Sequence, residues 1–113
     1  MISAHKKVIA IDFDGTLVFN RYPFIDNPNI NLINFIKNNR DKYIFILYTC
    51  RNGKQLDYAI KYLKDEFDLE FDYINENTRD NIYRFGDTRK ILADYYIDDR
   101  NVLLTNFFDI LGK

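Results

Sequence analysis

The sequence predicts an α/β fold: a three-layer domain with a parallel β-sheet between helices. Short, nearly continuous apolar runs recur along the chain, as strands buried on both faces of a parallel sheet require. These runs alternate with segments of helical period. The first and last runs each end in a pair of acids, Asp12 with Asp14 and Asp98 with Asp99.

Val8-Ile9-Ala10-Ile11-Asp12-Phe13 forms the first expected strand, broken by Asp14-Gly15-Thr16. Gly15 and Pro23 bracket residues Leu17 to Ile25, which suit a turn plus a small hairpin. Asn27-Pro28 has the form of an N-cap followed by proline at the first helical position. That helix is expected to run to about Asn39, with Leu32, Ile33, Phe35 and Ile36 inward. Tyr43 to Tyr48 is the second strand and ends at Thr49. Asn52 or Gly53 opens the clearest helix, where Leu56, Ala59, Ile60, Leu63 and Phe67 keep one apolar stripe. Phe71 to Ile74 is a third strand. Residues Asn75 to Arg89 are polar and read as loop with at most one helical turn. Ala93 to Ile97 is the fourth strand, and Thr105 and Gly112 would cap and stop a last short helix.

Right-handed crossovers put the second and third strands on one side of the first. With the fourth strand on the other side, the domain is Rossmann-like and a topological switch point falls beside Asp12. Ligands of open α/β sheets bind at such points, beyond the carboxyl ends of the strands.

Composition narrows the partners. The 113 residues are one domain's worth, 47% of them hydrophobic, so a single core over residues 1–113 is expected. Sixteen basic residues offset seventeen acidic ones, a balance without the broad positive field of a nucleic-acid binder. Nucleic acid therefore enters only as a substrate. A single cysteine, Cys50, excludes an internal disulfide and suits a reducing compartment. Met1 to Lys7 is too short and polar for a secretory signal, and no apolar run approaches the ~20 residues of a membrane helix. A cytoplasmic protein without a membrane partner is the expectation.

Taken alone, Asp12-Phe13-Asp14-Gly15 is a common surface-turn pattern. The apolar strand before it, and the second acidic pair after another apolar strand, favour a site. Carboxylates brought that close cannot all remain ionised without a cation. An all-oxygen set with room for water favours Mg²⁺ where phosphate is also bound.

At this point the residues resemble a known family. Val-Ile-Ala-Ile-Asp12-Phe-Asp14-Gly15-Thr16 resembles the first motif of the haloacid dehalogenase-like (HAD) superfamily. Thr49 looks like its second motif, Lys90 its third, and Tyr96-Ile97-Asp98-Asp99 its fourth. The resemblance spans Val8 to Arg100, and it extends through Tyr48-Thr49-Cys50-Arg51, Asn75-Glu76-Asn77 and Arg89 to Asp94 to a group of small bacterial and phage hydrolases without a cap domain.

The resemblance implies a magnesium-dependent phosphatase working through an aspartyl-phosphate. Asp12 would be the nucleophile, and Asp14 would protonate the leaving oxygen and then take a proton from water. Mg²⁺ would bind the Asp12 carboxylate, the Asp14 main-chain carbonyl and Asp98, with Asp99 completing or orienting the shell. Thr49 and Lys90 would hold the phosphoryl group. Arg51 and Cys50 would extend the substrate site, Cys50 as a small packed residue because no base adjoins it and His5 lies in the terminal segment. Arg89 is a rival to Lys90. Asn75, Glu76 and Asn77 suit either pocket lining or loop capping.

The gaps from Thr16 to Thr49 and from Thr49 to Lys90 leave no room for a folded cap. An open site of this kind suits a phosphorylated small molecule or a macromolecular end. Two other functions share these residues. A dehalogenase of the same superfamily would also use Asp12 but needs neither metal nor an acid at Asp14. A phosphoacceptor switch domain would share the sheet, acids, Thr and Lys, yet accumulate a long-lived aspartyl-phosphate.

Overall fold

The computed structural model describes residues 6–99. Thr105, Gly112, His5 and Arg100, all named above, lie outside the described residues. The elements are β1 (Lys7–Ile11), α1 (Ile30–Asn38), β2 (Tyr43–Leu47), α2 (Gly53–Phe67), β3 (Tyr73–Ile74), α3 (Arg79–Phe85) and β4 (Tyr95–Ile97).

The strands form one parallel sheet in the order β3-β2-β1-β4. This is the expected arrangement, with the chain crossing from the β2–β3 side to β4 at the opposite edge. In β1 the side chains alternate between two cores, as the period of two dictates. Ile9 and Ile11 join a large cluster with Phe45 and Leu47 of β2, Leu32, Ile33 and Ile36 of α1, and Ala59 and Leu63 of α2. Val8 and Ala10 face the other way, against Ile46 and Ile91. Each large apolar side chain so buried contributes roughly 1.5–3 kcal/mol. The two faces together explain why Val8 to Ile11 of β1 and the end of β2 are apolar at every position.

Two aspartates start the edge strands. Asp94 Oδ2 accepts from Val8 N at 2.7 Å while Asp94 N donates to Val8 O at 2.8 Å. Asp72 repeats the pattern on Phe45, at 2.8 and 3.0 Å. These carboxylates satisfy main-chain donors that the short edge strands leave uncovered. The Asp94 pair is in step with the register that brings Ile97 beside Ile11, and the Asp72 pair with the one that brings Ile74 beside Leu47.

The first helix starts later than the Asn27-Pro28 pattern suggests. Pro28 still bridges Val18 in an antiparallel pairing, and Asn27 adopts a left-handed φ of 48°. Asn29 is the N-cap instead, its side chain accepting from Leu32 N at 3.2 Å. The pairing of the 18–28 segment outweighs the local preference of proline for the first helical turn. In α2 the expected stripe packs inward: Ala59 and Leu63 are buried, and Leu56, Ile60 and Phe67 pack against the core. The 75–89 segment holds more helix than its polarity suggests. Thr78 caps α3 by accepting from Asn81 N at 3.1 Å, and Gly86 ends it at φ 85°. No α3 residue is buried, so the apolar signal that marks a helix is missing there.

Candidate active site

Ile11 and Ile97 are register partners on β1 and β4, and Asp12 N donates to Ile97 O at 3.0 Å. The residues that follow, Asp12 and Asp98, therefore leave the sheet side by side. After Asp12 the chain turns tightly, with Phe13 O accepting from Thr16, Leu17 and Val18 N at 3.2, 2.9 and 3.2 Å. Gly15 sits in this turn at φ +83°, a conformation that favours glycine. Asp99 packs directly on it: a Cβ at residue 15 would lie 2.7 Å from Asp99 Oδ2. The first and last acidic pairs thus meet.

The half-buried Asp12 accepts from Phe13 N at 2.8 Å through Oδ1. Burial pushes its carboxyl up from 3.8 to about 6. The bond from Phe13 opposes that rise, while the charges of Asp99, Asp14 and Asp98 add to it.

Asp14 is engaged elsewhere. Arg51 Nε donates to its Oδ2 at 2.9 Å and Arg51 Nη2 to its Oδ1 at 2.8 Å, a two-point fork. Arg51 is 1% exposed and is the largest fully buried side chain. Nη2 also donates to Pro23 O at 3.2 Å, and Nη1 to Gln55 O at 3.4 Å. The guanidinium lies between two rings, 5.0 Å from the Phe13 centroid and 4.8 Å from that of Tyr22. Most of its donors are occupied by the protein and the side chain is buried, so this geometry differs from the substrate-binding role expected of Arg51. It differs too from four carboxylates turned on one ion, because the Asp14 carboxylate faces a cation the chain supplies.

Thr49 lies two residues past Leu47, the last residue of β2 and the register partner of Ile11. Its N donates to Asn75 Oδ1 at 2.8 Å, and its Oγ1 accepts from Arg51 N at 3.1 Å. An accepting hydroxyl still has its own proton to donate. Asn75 performs this anchoring at φ +52°, a region that asparagine tolerates. Cys50 is a free, exposed thiol and not the packed residue expected, because the chain turns outward between the end of β2 and the start of α2. Lys90 is exposed, and its main chain is tied down by Asn77, which is 1% exposed. Asn77 Nδ2 donates to Thr88 O and Lys90 O at 3.2 and 3.1 Å, and its Oδ1 accepts from Leu92 N at 2.6 Å. Of the two roles open to Asn77, the structure assigns loop capping. The scaffold roles of Asn75 and Asn77 were visible in the sequence only as asparagines following a strand end.

Among the described residues, no three His, Cys, Asp or Glu side chains close into a metal cage. The donor set that is present consists of carboxylate oxygens whose mutual repulsion falls on Asp12. This chemistry fits a hard ion such as Mg²⁺, which is held through one or two carboxylates and keeps water and phosphate in its shell. It does not fit a closed site of protein ligands alone. Among the described residues, no helix is long and apolar enough to cross a membrane.

The chain matches no family model, and no curated protein matches it. Among solved structures it is similar to a conserved protein coded by a locus of Bacteroides thetaiotaomicron. The two share 33% sequence identity over 96% of this chain and 91% of that one, with a TM-score of 0.80.

Proposed function

This chain belongs to the family of that conserved Bacteroides protein, and we propose that it is a magnesium-dependent phosphohydrolase of the HAD type with Asp12 as nucleophile. The observation that carries the reading is the position of Asp12. It stands at the switch between β1 and β4, half-buried, with the charges of three further aspartates pressing on it.

Asp12 attacks phosphorus as the bond to the leaving oxygen breaks, giving an aspartyl-phosphate. Water then attacks that phosphorus, and the Asp12 carboxylate departs. Thr49 Oγ donates to a phosphoryl oxygen, its orientation set by the bond it accepts from Arg51 N. Lys90 brings a fixed positive charge from a loop that Asn77 holds in place. Preorganised donors of this kind contribute about 3–4 kcal/mol each to transition-state stabilisation. Asp12 and Asp98 are the residues that would hold Mg²⁺, with Asp99 beside them. Bound there, the ion supplies the charge neutralisation that lets a carboxylate approach a phosphate.

The test is hydrolysis of 4-nitrophenyl phosphate by purified protein with Mg²⁺. Chelation should abolish turnover, and Asp12→Asn should do the same in a protein with an unchanged circular-dichroism spectrum. Wild-type turnover by Asp12→Asn would sink the nucleophile assignment. Halide release from a 2-haloacid that survives chelation, without phosphatase turnover, would favour carbon–halogen chemistry. A phosphoenzyme stable for hours after acetyl phosphate treatment would favour a switch domain.

A further inference from the structure

The chain uses one device three times. A short polar side chain at the end of a strand accepts a main-chain N–H from the strand beside it. Asp94 does this for Val8 N at 2.7 Å and Asp72 for Phe45 N at 2.8 Å, each just before its own short strand. Asn75 does it for Thr49 N at 2.8 Å, just after β3. Each of the three also donates its own N to that neighbouring strand, to Val8 O, Phe45 O and Leu47 O.

The first two are carboxylates and the third is an amide. Backbone shape does not account for the change. Asn75 has a φ of 52°, yet Asp68 holds 51° in the same chain. An aspartate at 75 would accept from Thr49 N at least as well, because ionised acceptors make the stronger bonds. What the amide alone provides is an NH2 group and no charge.

Chemistry fixes where that NH2 group points. Thr49 N can only donate, so the amide turns its oxygen toward Thr49 N and its nitrogen away. The two bonds from Oδ1 to Nδ2 span at most about 2.6 Å, so Nδ2 lies within about 5.4 Å of Thr49 N. Nδ2 donates to nothing among the described residues, and Asn75 is exposed. Ile97, Ile11, Leu47 and Ile74 form one register row across the sheet. Asp98, Asp12 and Asn75 each follow that row, so the amide stands on the same edge of the sheet as Asp12, with Thr49 on the strand between. At the amino ends of β3 and β4 a negative charge does no harm. At this edge it would oppose an incoming anion.

We propose that Asn75 Nδ2 is a second hydrogen-bond donor to the phosphate group that Thr49 receives. This rests on the phosphohydrolase reading. Asn75 then has two functions that its two amide atoms divide: Oδ1 holds the Thr49 main chain, and Nδ2 binds the ligand.

Inorganic phosphate is the probe, as a competitive inhibitor of 4-nitrophenyl phosphate turnover by the full chain with Mg²⁺. Asn75→Asp keeps an oxygen for Thr49 N and loses the donors. Asn75→Gly accepts the left-handed φ and loses both. A hydrogen bond to a charged group is worth about 10–100-fold in binding, so Ki for phosphate should rise at least about tenfold in each variant. In Asn75→Asp the rise should persist from about 0.1 to about 1 M salt, over which the Debye length falls from about 10 to about 3 Å. A wild-type Ki in either variant overturns the proposal, and in Asn75→Asp it leaves residue 75 an anchor only. A deficit in Asn75→Asp that disappears at high salt is repulsion without contact, and overturns it too. One measurement needs no variant. When isotope-labelled wild type is titrated with phosphate and Mg²⁺, the side-chain NH2 resonances of Asn75 should move. Those of Asn39, which is bonded to Phe35 O at the far end of the sheet, should not. Saturation with phosphate while the Asn75 signals stay still overturns the proposal and leaves Asp12 chemistry standing. A wild type that neither turns over the ester nor binds phosphate overturns the phosphohydrolase reading and this proposal with it.

Discussion

Replacing Asp12 by Asn should make the metal-free protein more stable at neutral pH while removing its activity. The carboxyl of Asp12 is pushed up from 3.8 to about 6. Between those values the native state holds a proton that the unfolded chain has released. Stability therefore falls as pH rises through that window, and the full penalty is present above about 6. A rise of roughly two units corresponds to an upper limit of about 3 kcal/mol. Asp12 is only half-buried, so solvent screening reduces this to about 1–2 kcal/mol. The amide of the Asp12→Asn variant would keep the acceptor for Phe13 N and lose the charge. For a domain near this size 1 kcal/mol moves Tm by about 4–8 °C, so Asp12→Asn should gain about 4–16 °C at pH 7.5 in chelator. Thermal melts of both proteins from pH 4.5 to 8 provide the assay, because titrations of groups not coupled to Asp12 cancel in their difference. That difference should shrink toward pH 4.5, where Asp12 is protonated. Mg²⁺ at 100 times its Kd should then raise wild-type stability by about 2.7 kcal/mol and help the variant much less. If the variant is no more stable than wild type at pH 7.5, or its advantage persists at pH 4.5, the electrostatic account of the site is wrong.

Thr16 is fully buried and its hydroxyl has no hydrogen-bond partner among the described residues, so Thr16→Val should stabilise the fold by about 1 kcal/mol in urea denaturation. Gly15→Ala places a Cβ against Asp99 at a left-handed φ; it should cost about 1–2 kcal/mol and weaken Mg²⁺ affinity measured by calorimetry. Asn77→Ala leaves Leu92 N without its partner and Lys90 O with only the bond it accepts from Thr88 Oγ1, and should cost about 1–3 kcal/mol. The same variant should lower kcat/KM by loosening Lys90, and unaltered kinetics would separate the strap from the site.

Much of the fold was legible because local patterns and tertiary packing agree. The apolar runs of β1 and β2 read as doubly buried strands, and the α2 stripe read as one buried face. Where a segment buried none of its residues, as in α3, or where its pairing partner was distant, as at Pro28, the local signal misled. The acids at the ends of β1 and β4 were legible as a pair of motifs. Their meeting depended on strand order: crossover handedness grouped β2 and β3 on one side of β1, and the place of β4 on the other side, only supposed from the sequence, is present in the sheet order β3-β2-β1-β4.

Arg51 is the instructive failure. Nothing in Tyr48-Thr49-Cys50-Arg51 announces a partner 37 residues earlier, or that this cation is more deeply buried than any acid it could serve. By itself, the sequence determined which stretches must be covered by other chain and which positions carry charge at strand ends. Only the tertiary structure decided which charges neutralise one another, because a side chain's partner is set by where separate elements close in space. Periodicity records the demand for burial along the chain. It contains no term for the distance between Asp14 and Arg51.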